Sequence, residues 1–359
     1  MNSVKFGIAG AIVAAVIASS IGLALPGINP STSATTNGDN GASAEKKTVR
    51  IGYFPNVNHA QAVIGLGNGD FQEVLGDNVE VKTQIFNAGP SVIEAMLANH
   101  IDISYIGPNP AINGYTVTDG ELLRIVGGAT SGGAVFVVRN DAGIDGPEDF
   151  ANKKFSSPQL GNTQDVALRQ YLKEHGYETK ENGGNVEVLP AKNADIVTLM
   201  LKKEIHGAWV PEPWGAKLIK EANAKILVDE RDLWPNGDFV TAHIIVKTDY
   251  LEKNPDLVKK LLQAHVEETQ WINENPEEAM KAFNVELEKL TGKAIPEDEY
   301  QDGVSRMTLT WDPIKTSLFK SAEDAYNIGF LQEEPNLDNI YDLELLNAVL
   351  KEKGLQQIQ

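Results

Sequence analysis

The chain has no cysteine among its 359 residues. That removes disulfides, a lipid-modified N-terminal cysteine, zinc–thiolate centres and any thiol nucleophile. Basic residues are also scarce. Thirty-one Lys and Arg stand against 50 Asp and Glu, a formal net charge of −19. A nucleic-acid partner needs a basic footprint, so none is expected. The six histidines (His59, His100, His175, His206, His243, His265) are scattered singly, and no metal site is expected. The patterns GxxxxGK[ST], HExxH and GxSxG are missing, which leaves phosphoryl transfer, zinc proteolysis and serine hydrolysis without a motif. No catalytic residue and no cofactor is assigned, and the chain does not read as an enzyme.

Long apolar runs are absent with one exception. Phe6–Leu25 carries no charge and is closed by Pro26 and Gly27. At about 20 residues it is long enough to span a bilayer and longer than the usual secretory core. Residues 1–27 therefore read as a signal-anchor, with cleavage after the Gly22–Leu23–Ala24 triplet as the alternative. Residues 28–47 are rich in Ser, Thr, Asn and Gly and cannot bury enough surface to order themselves. They are expected to form a polar tether that holds the folded body at the outer face of the cytoplasmic membrane, or leaves it secreted or periplasmic if the signal is cleaved. No second run approaches membrane length, so a channel or permease is excluded.

From Thr48 apolar strands alternate with helical periodicity, the pattern of an α/β fold. After Asp249 the reading is almost wholly helical. Lobe 1 is expected over residues 48–138 plus 249–359 and lobe 2 over 139–248. The crossings are placed at Val135–Asn140 and Ile244–Asp249. Two lobes joined by two strands can close on a ligand by hinging.

Most strands run into loops with helix-start chemistry. Asn56 and Asn58, with Gln61 three residues on, have the form of a capping box, as does Ser91 with Glu94. Asn109 precedes Pro110, an Asn cap with Pro at the first helical position. Gly89, Ser131, Gly132, Gly161, Asn162 and Thr163 fall in similar loops, and Glu212 and Trp214 stand in Pro211–Glu212–Pro213–Trp214. His59 is the one histidine inside such a loop. Ligands of open α/β sheets bind at the carboxyl ends of strands, where helix N-termini can hold an oxyanion without Lys or Arg. A cap also serves its own helix, and the ligand reading rests on how many such loops occur in both halves. Glu212 can either face an ammonium group of a zwitterion, with Trp214 or Trp209 covering the alkyl part, or cap its helix and point away.

The runs Ile51–Ala60 (IGYFPNVNHA), Phe86–Gly89, Asp102–Pro108, Ser157–Thr163 and Glu212–Trp214 resemble those of the nitrate/sulfonate/taurine substrate-binding proteins of ABC transporters. The likeness runs in order from about Thr48 to Asn327. It implies a type II periplasmic-binding-protein fold with ligand between the lobes. It also implies a small oxyanion or zwitterion, of the aliphatic sulfonate, taurine or nitrate class, delivered to the permease subunits of the membrane. The chain is expected to act as a monomer. A tethered sensor, or a pyrimidine-binding or pyrimidine-processing protein of the same fold, stays open as the alternative.

Overall fold

The computed structural model describes residues 46–359, so the signal-anchor and nearly all of the tether lie outside the described residues. The strands are β1 (Lys47–Tyr53), β2 (Val79–Ile85), β3 (Ile103–Ile106), β4 (Leu123–Gly132), β5 (Ala134–Arg139), β6 (Lys154–Pro158), β7 (Glu187–Ala191), β8 (Gly207–Pro211), β9 (Ala224–Asp229), β10 (Val240–Lys247) and β11 (Met307–Leu309). They form two sheets, ordered β11-β4-β10-β3-β1-β2 and β7-β6-β8-β5-β9. In the first sheet β1 runs parallel to β2 and β3, and β10 is antiparallel to β3 and β4. In the second, β6 is parallel to β7 and β8, while β5 is antiparallel to β8 and β9.

The helices are α1 (Ala60–Gly67), α2 (Asp70–Leu75), α3 (Gly89–Leu97), α4 (Pro108–Thr116), α5 (Thr163–Glu174), α6 (Asn193–Leu201), α7 (Trp214–Glu221), α8 (Thr248–Lys253), α9 (Pro255–Glu274), α10 (Pro276–Thr291), α11 (Glu297–Val304), α12 (Lys315–Asn327) and α13 (Glu344–Glu352). Both sheets are covered on two faces. Along β10, Ile244 and Val246 join one apolar cluster and Ile245 another; along β5, Phe136 and Val138 part in the same way from Val135 and Val137. Alternate side chains leave a strand on opposite sides. Strands buried on both faces therefore read as unbroken apolar runs.

The lobe boundaries lie earlier than the sequence reading put them. Residues Ala134–Val138, expected in lobe 1, are strand β5 of the second sheet, and Val240–Lys247, expected in lobe 2, is strand β10 of the first. The chain crosses at Gly133 and again through the 3₁₀ turns between Asp229 and Val240. Gly132 and Gly133 have φ of 74° and 78°, values at which a side chain is strained. That break separates two apolar strands that look continuous in sequence. The helical C-terminal part also contains an unexpected strand, β11, which pairs with β4. Among the described residues no helix is long and apolar enough to cross a membrane.

Glu268 of α9 marks a weak point in the first lobe. It is 4% exposed, Oε1 has no hydrogen-bond partner, and it packs beside Gly65. Burial, with Asp70 close by, pushes its carboxyl up to about 8. The folded state thus keeps a proton that the unfolded chain gives up near 4.5. Its stabilising contribution is present below that pH and is lost as pH rises through about 8, at about 1.4 kcal/mol per pH unit in between. Glu268→Gln is expected to raise the thermal midpoint at pH 9 and change it little at pH 4. Equal shifts at both pH values in calorimetry would contradict the assignment.

Candidate functional site

Each of the helix starts facing the cleft follows a strand end. β1 leads to a 3₁₀ turn at Val57–His59 and then α1, β3 to α4, β6 to α5 and β8 to α7. The expected side-chain caps do not form. The helices α1, α3, α4 and α5 have no side-chain cap hydrogen bond, and neither does the turn at Val57–His59. Their polar side chains are spent on tertiary contacts instead. Asn58 Nδ2 donates to Gly132 O (3.4 Å) and Gly133 O (3.2 Å), and Gln61 Nε2 to Ala129 O (2.8 Å).

Between the lobes lies a narrow, partly open pocket that, with the lobes as they stand, leaves about 20 Å³, room for about one water. Of the residues expected at a ligand, Asn56, Asn58 and His59 line it from the first lobe, and Asn162 and Thr163 from the second. Phe54, Asn87, Ala88, Gly107 and Thr241 complete the first-lobe wall, and Gln164, Asn193 and Pro211 the second. Asn193 opens α6 after strand β7, the same strand-to-helix pattern as the others, and that signal could have found it. Thr241 lies inside β10, where nothing in the sequence distinguishes it.

Four buried polar atoms on this wall have no partner within the protein: Asn58 Oδ1, His59 Nδ1, Thr163 Oγ1 and Asn193 Oδ1. They come from both lobes. Burying such an atom unpaired costs about 1–3 kcal/mol, so the cluster is best explained as a set of groups that a ligand satisfies. His59 is neutral, since full burial pushes its imidazole down to about 3, and its ring packs 4.5 Å from that of Phe54. None of the lining residues is Lys, Arg, Asp or Glu. Among the described residues no group of three or more His, Asp or Glu is placed to hold a metal.

The remaining expected residues do other work. Ser91 Oγ reaches across the lobes to Gln159 Oε1 (3.4 Å), and Gly89 N to Asn162 Oδ1 (3.4 Å). Asn109 is buried and donates to Ser321 O (3.0 Å), which ties α4 to α12. Ser131 and Gly132 lie within β4, where the ladder to β10 and β11 fixes them. Gly161 N donates to Asp165 Oδ2 (2.9 Å), and Ser157 Oγ donates to Oδ1 of the same carboxylate (2.6 Å). Trp214 stands at the rim and donates through Nε1 to Asn56 Oδ1 (3.0 Å), a bond between lobes. Outside it a pocket of about 510 Å³ is bounded by Pro55, Trp214, Lys217 and Ile295. Trp209 is core, stacked on Phe136 at 5.2 Å.

Glu212 does not face a ligand ammonium. It is 0% exposed, accepts Arg306 Nε at Oε1 (2.7 Å) and caps α7 by accepting Ala216 N at Oε2 (3.0 Å). Arg306 is itself held by both carboxylate oxygens of Asp302 (2.9 and 2.7 Å). Burial pushes the Glu212 carboxyl up, and Arg306 opposes that shift. Both oxygens are occupied inside the protein, and this is the capping arrangement of the two open readings.

A model of the NMT1-like family matches residues 42–286. A putative binding protein of Brucella abortus is 23% identical over 299 residues, which is 77% of this chain and 90% of that protein. The taurine-binding periplasmic protein of Escherichia coli is 24% identical over 259 residues, 71% of this chain and 76% of its own. The solved alkanesulfonate-binding protein SsuA from Xanthomonas axonopodis pv. citri, bound to MOPS, superposes with a TM-score of 0.68 at 16% identity, over 81% of this chain and 96% of that one. The expected two-lobed periplasmic-binding-protein fold is borne out.

One close approach between the lobes leaves no room for a side chain. A Cβ built on Gly107 would lie 2.3 Å from Thr163 Oγ1 on the opposite lobe. Gly107→Ala is expected to hold the lobes apart and weaken solute binding at least about tenfold, or ~1.4 kcal/mol. With solute bound to the wild type, small-angle scattering should give the variant the larger radius of gyration. Unchanged affinity would show that the lobes need not meet here.

Proposed function

The chain belongs to the NMT1-like family, and from that premise we propose that it is the extracytoplasmic solute receptor of an ABC-type importer. It captures a small polar solute between its lobes and presents it to a membrane permease. The observation that carries this reading is the set of unpartnered polar atoms contributed by both lobes to one cavity. Contacts to both lobes favour the closed state, and closure is what a permease can recognise. The relatives named for taurine and alkanesulfonate support a ligand from the small sulfonates or their neighbours. The cavity's neutral amide and hydroxyl lining supports recognition by hydrogen bonds rather than by a cation.

A thermal-shift screen of small sulfonates, taurine, nitrate, nitrite, bicarbonate and pyrimidines is expected to give at least one stabilising solute. Scattering should then show a smaller radius of gyration with that solute than without it. A solute that binds tightly at an unchanged radius would point to a rigid receptor, and no binding across the panel would remove these ligand classes.

The apolar run Phe6–Leu25 supports placement at the membrane, with the folded body outside. The full chain is expected to fractionate with membranes, and a chain that starts at Glu45 should be soluble. A mature N-terminus near Leu25, found by peptide sequencing, would identify a cleaved signal instead.

A further inference from the structure

We propose that the solute held in the interlobe cavity has no net charge and presents an N–H or O–H donor to Asn58 Oδ1, alongside acceptors for the amide donors of Asn56 and Gln164. The inference rests on the cavity being the ligand site.

It follows from an accounting of fixed amides. Asn58 has both donor hydrogens turned toward the carbonyls of Gly132 and Gly133. Flipping the amide would set its oxygen against two carbonyl oxygens, so its orientation is determined. The residue is 2% exposed, and Oδ1 is left without a partner. Asn56 has the opposite sense. Its Oδ1 accepts from Trp214 Nε1, which leaves Nδ2 to donate. Gln164 matches Asn56, since Oε1 accepts from Asn162 Nδ2 (3.0 Å) and Nε2 remains. The wall thus offers two donors and one acceptor of settled direction. A donor-free ligand leaves that acceptor buried and unpaired, and sites built to bond a donor reject analogues that lack it.

The same accounting weakens the case for a bare anion. No cation lines the cavity, and the whole chain carries −19. Three of the helix starts that could replace a cation are already committed. Gly89 N, the first amide of α3, already donates to Asn162, and Pro90 follows it. In α4 the first and third residues are Pro108 and Pro110, which have no N–H to offer. The start of α7 is occupied by the carboxylate of Glu212. The free starts left at the cavity are those of α5 and α6, through Thr163 and Asn193, and of the short 3₁₀ turn at Asn58. A compact solute with balanced charge fits this wall, whether a zwitterionic aminosulfonate or an amino-substituted neutral heterocycle.

Matched pairs test the donor directly by calorimetric titration. Taurine is set against propane-1-sulfonate, and 4-amino-2,5-dimethylpyrimidine against 2,4,5-trimethylpyrimidine, so that each pair exchanges an amino group for a methyl; nitrate is run alongside. In the pair that binds, the amino compound is expected to be tighter by about tenfold or more, and the identity of that pair separates the sulfonate source from the heterocycle. Asn58→Leu should bring the ratio within the pair close to one. Asn58→Ala serves if that variant does not fold, and the wild-type ratio decides the matter without either. Equal affinity within the binding pair, or nitrate binding as tightly as the best amino compound, overturns the inference and leaves the receptor reading standing. Silence from every compound overturns both.

Discussion

The buried pair between Glu212 and Arg306 sits where the chain passes from one lobe to the other. Gly133, the single residue between β4 and β5, donates its N–H to Arg306 O (2.9 Å) and accepts Glu212 N at its own carbonyl (2.9 Å). The two charged residues therefore clamp the crossing through their backbones while their side chains meet at 2.7 Å. Taking two charges out of water is costly, and such a pair is weak evidence of net stability. Its value here is positional. It fixes the β8–α7 loop, the turn before β11 and the crossing in one arrangement. The carbonyl of Gly133 then receives Asn58 Nδ2, so the direction in which Asn58 faces the cavity is set by the same node.

Much of this could be read in the sequence. Alternating strand and helix periodicity gave the α/β class, and the strand-end loops contained Asn56, Asn58, His59, Asn162 and Thr163, all of which line the cavity. The errors have a common physical source. Lobe membership of Ala134–Val138 and Val240–Lys247 depends on which strands they pair with, and strands buried on both faces look alike whichever sheet holds them. Asn109 and Glu212 have the residue type and loop position of ligand contacts, yet their partners, Ser321 and Arg306, lie 212 and 94 residues away. Periodicity reports which face of an element is buried. It carries no information on long-range polar pairing.

The failure of the capping expectation is informative in another way. The caps fall at His59 for α1 and Ala88 for α3, so Asn58 lies one residue before the cap and Ser91 inside the first turn, and neither bonds to the first turn of its own helix. Their side chains reach the crossing and the opposite lobe instead. Helix starts of this kind give up local stabilisation, typically about 1 kcal/mol each. What they gain is a polar surface whose bonds can be completed only from across the cleft.

That exchange explains how closure can be made to depend on solute. Contacts that join the two lobes, such as Trp214 Nε1 to Asn56 Oδ1 and the Arg169 guanidinium over the Phe330 ring at 5.5 Å, each favour the lobes being together by about 1 kcal/mol. Closing also removes water from Asn58 Oδ1, His59 Nδ1, Thr163 Oγ1 and Asn193 Oδ1, at about 1–3 kcal/mol for each that stays unpaired. The two effects oppose each other, so the unpaired atoms hold the empty protein back from closing. A solute that satisfies even two of those atoms returns several kcal/mol to the closed state alone, and a differential of that size carries a two-state equilibrium most of the way from open to closed.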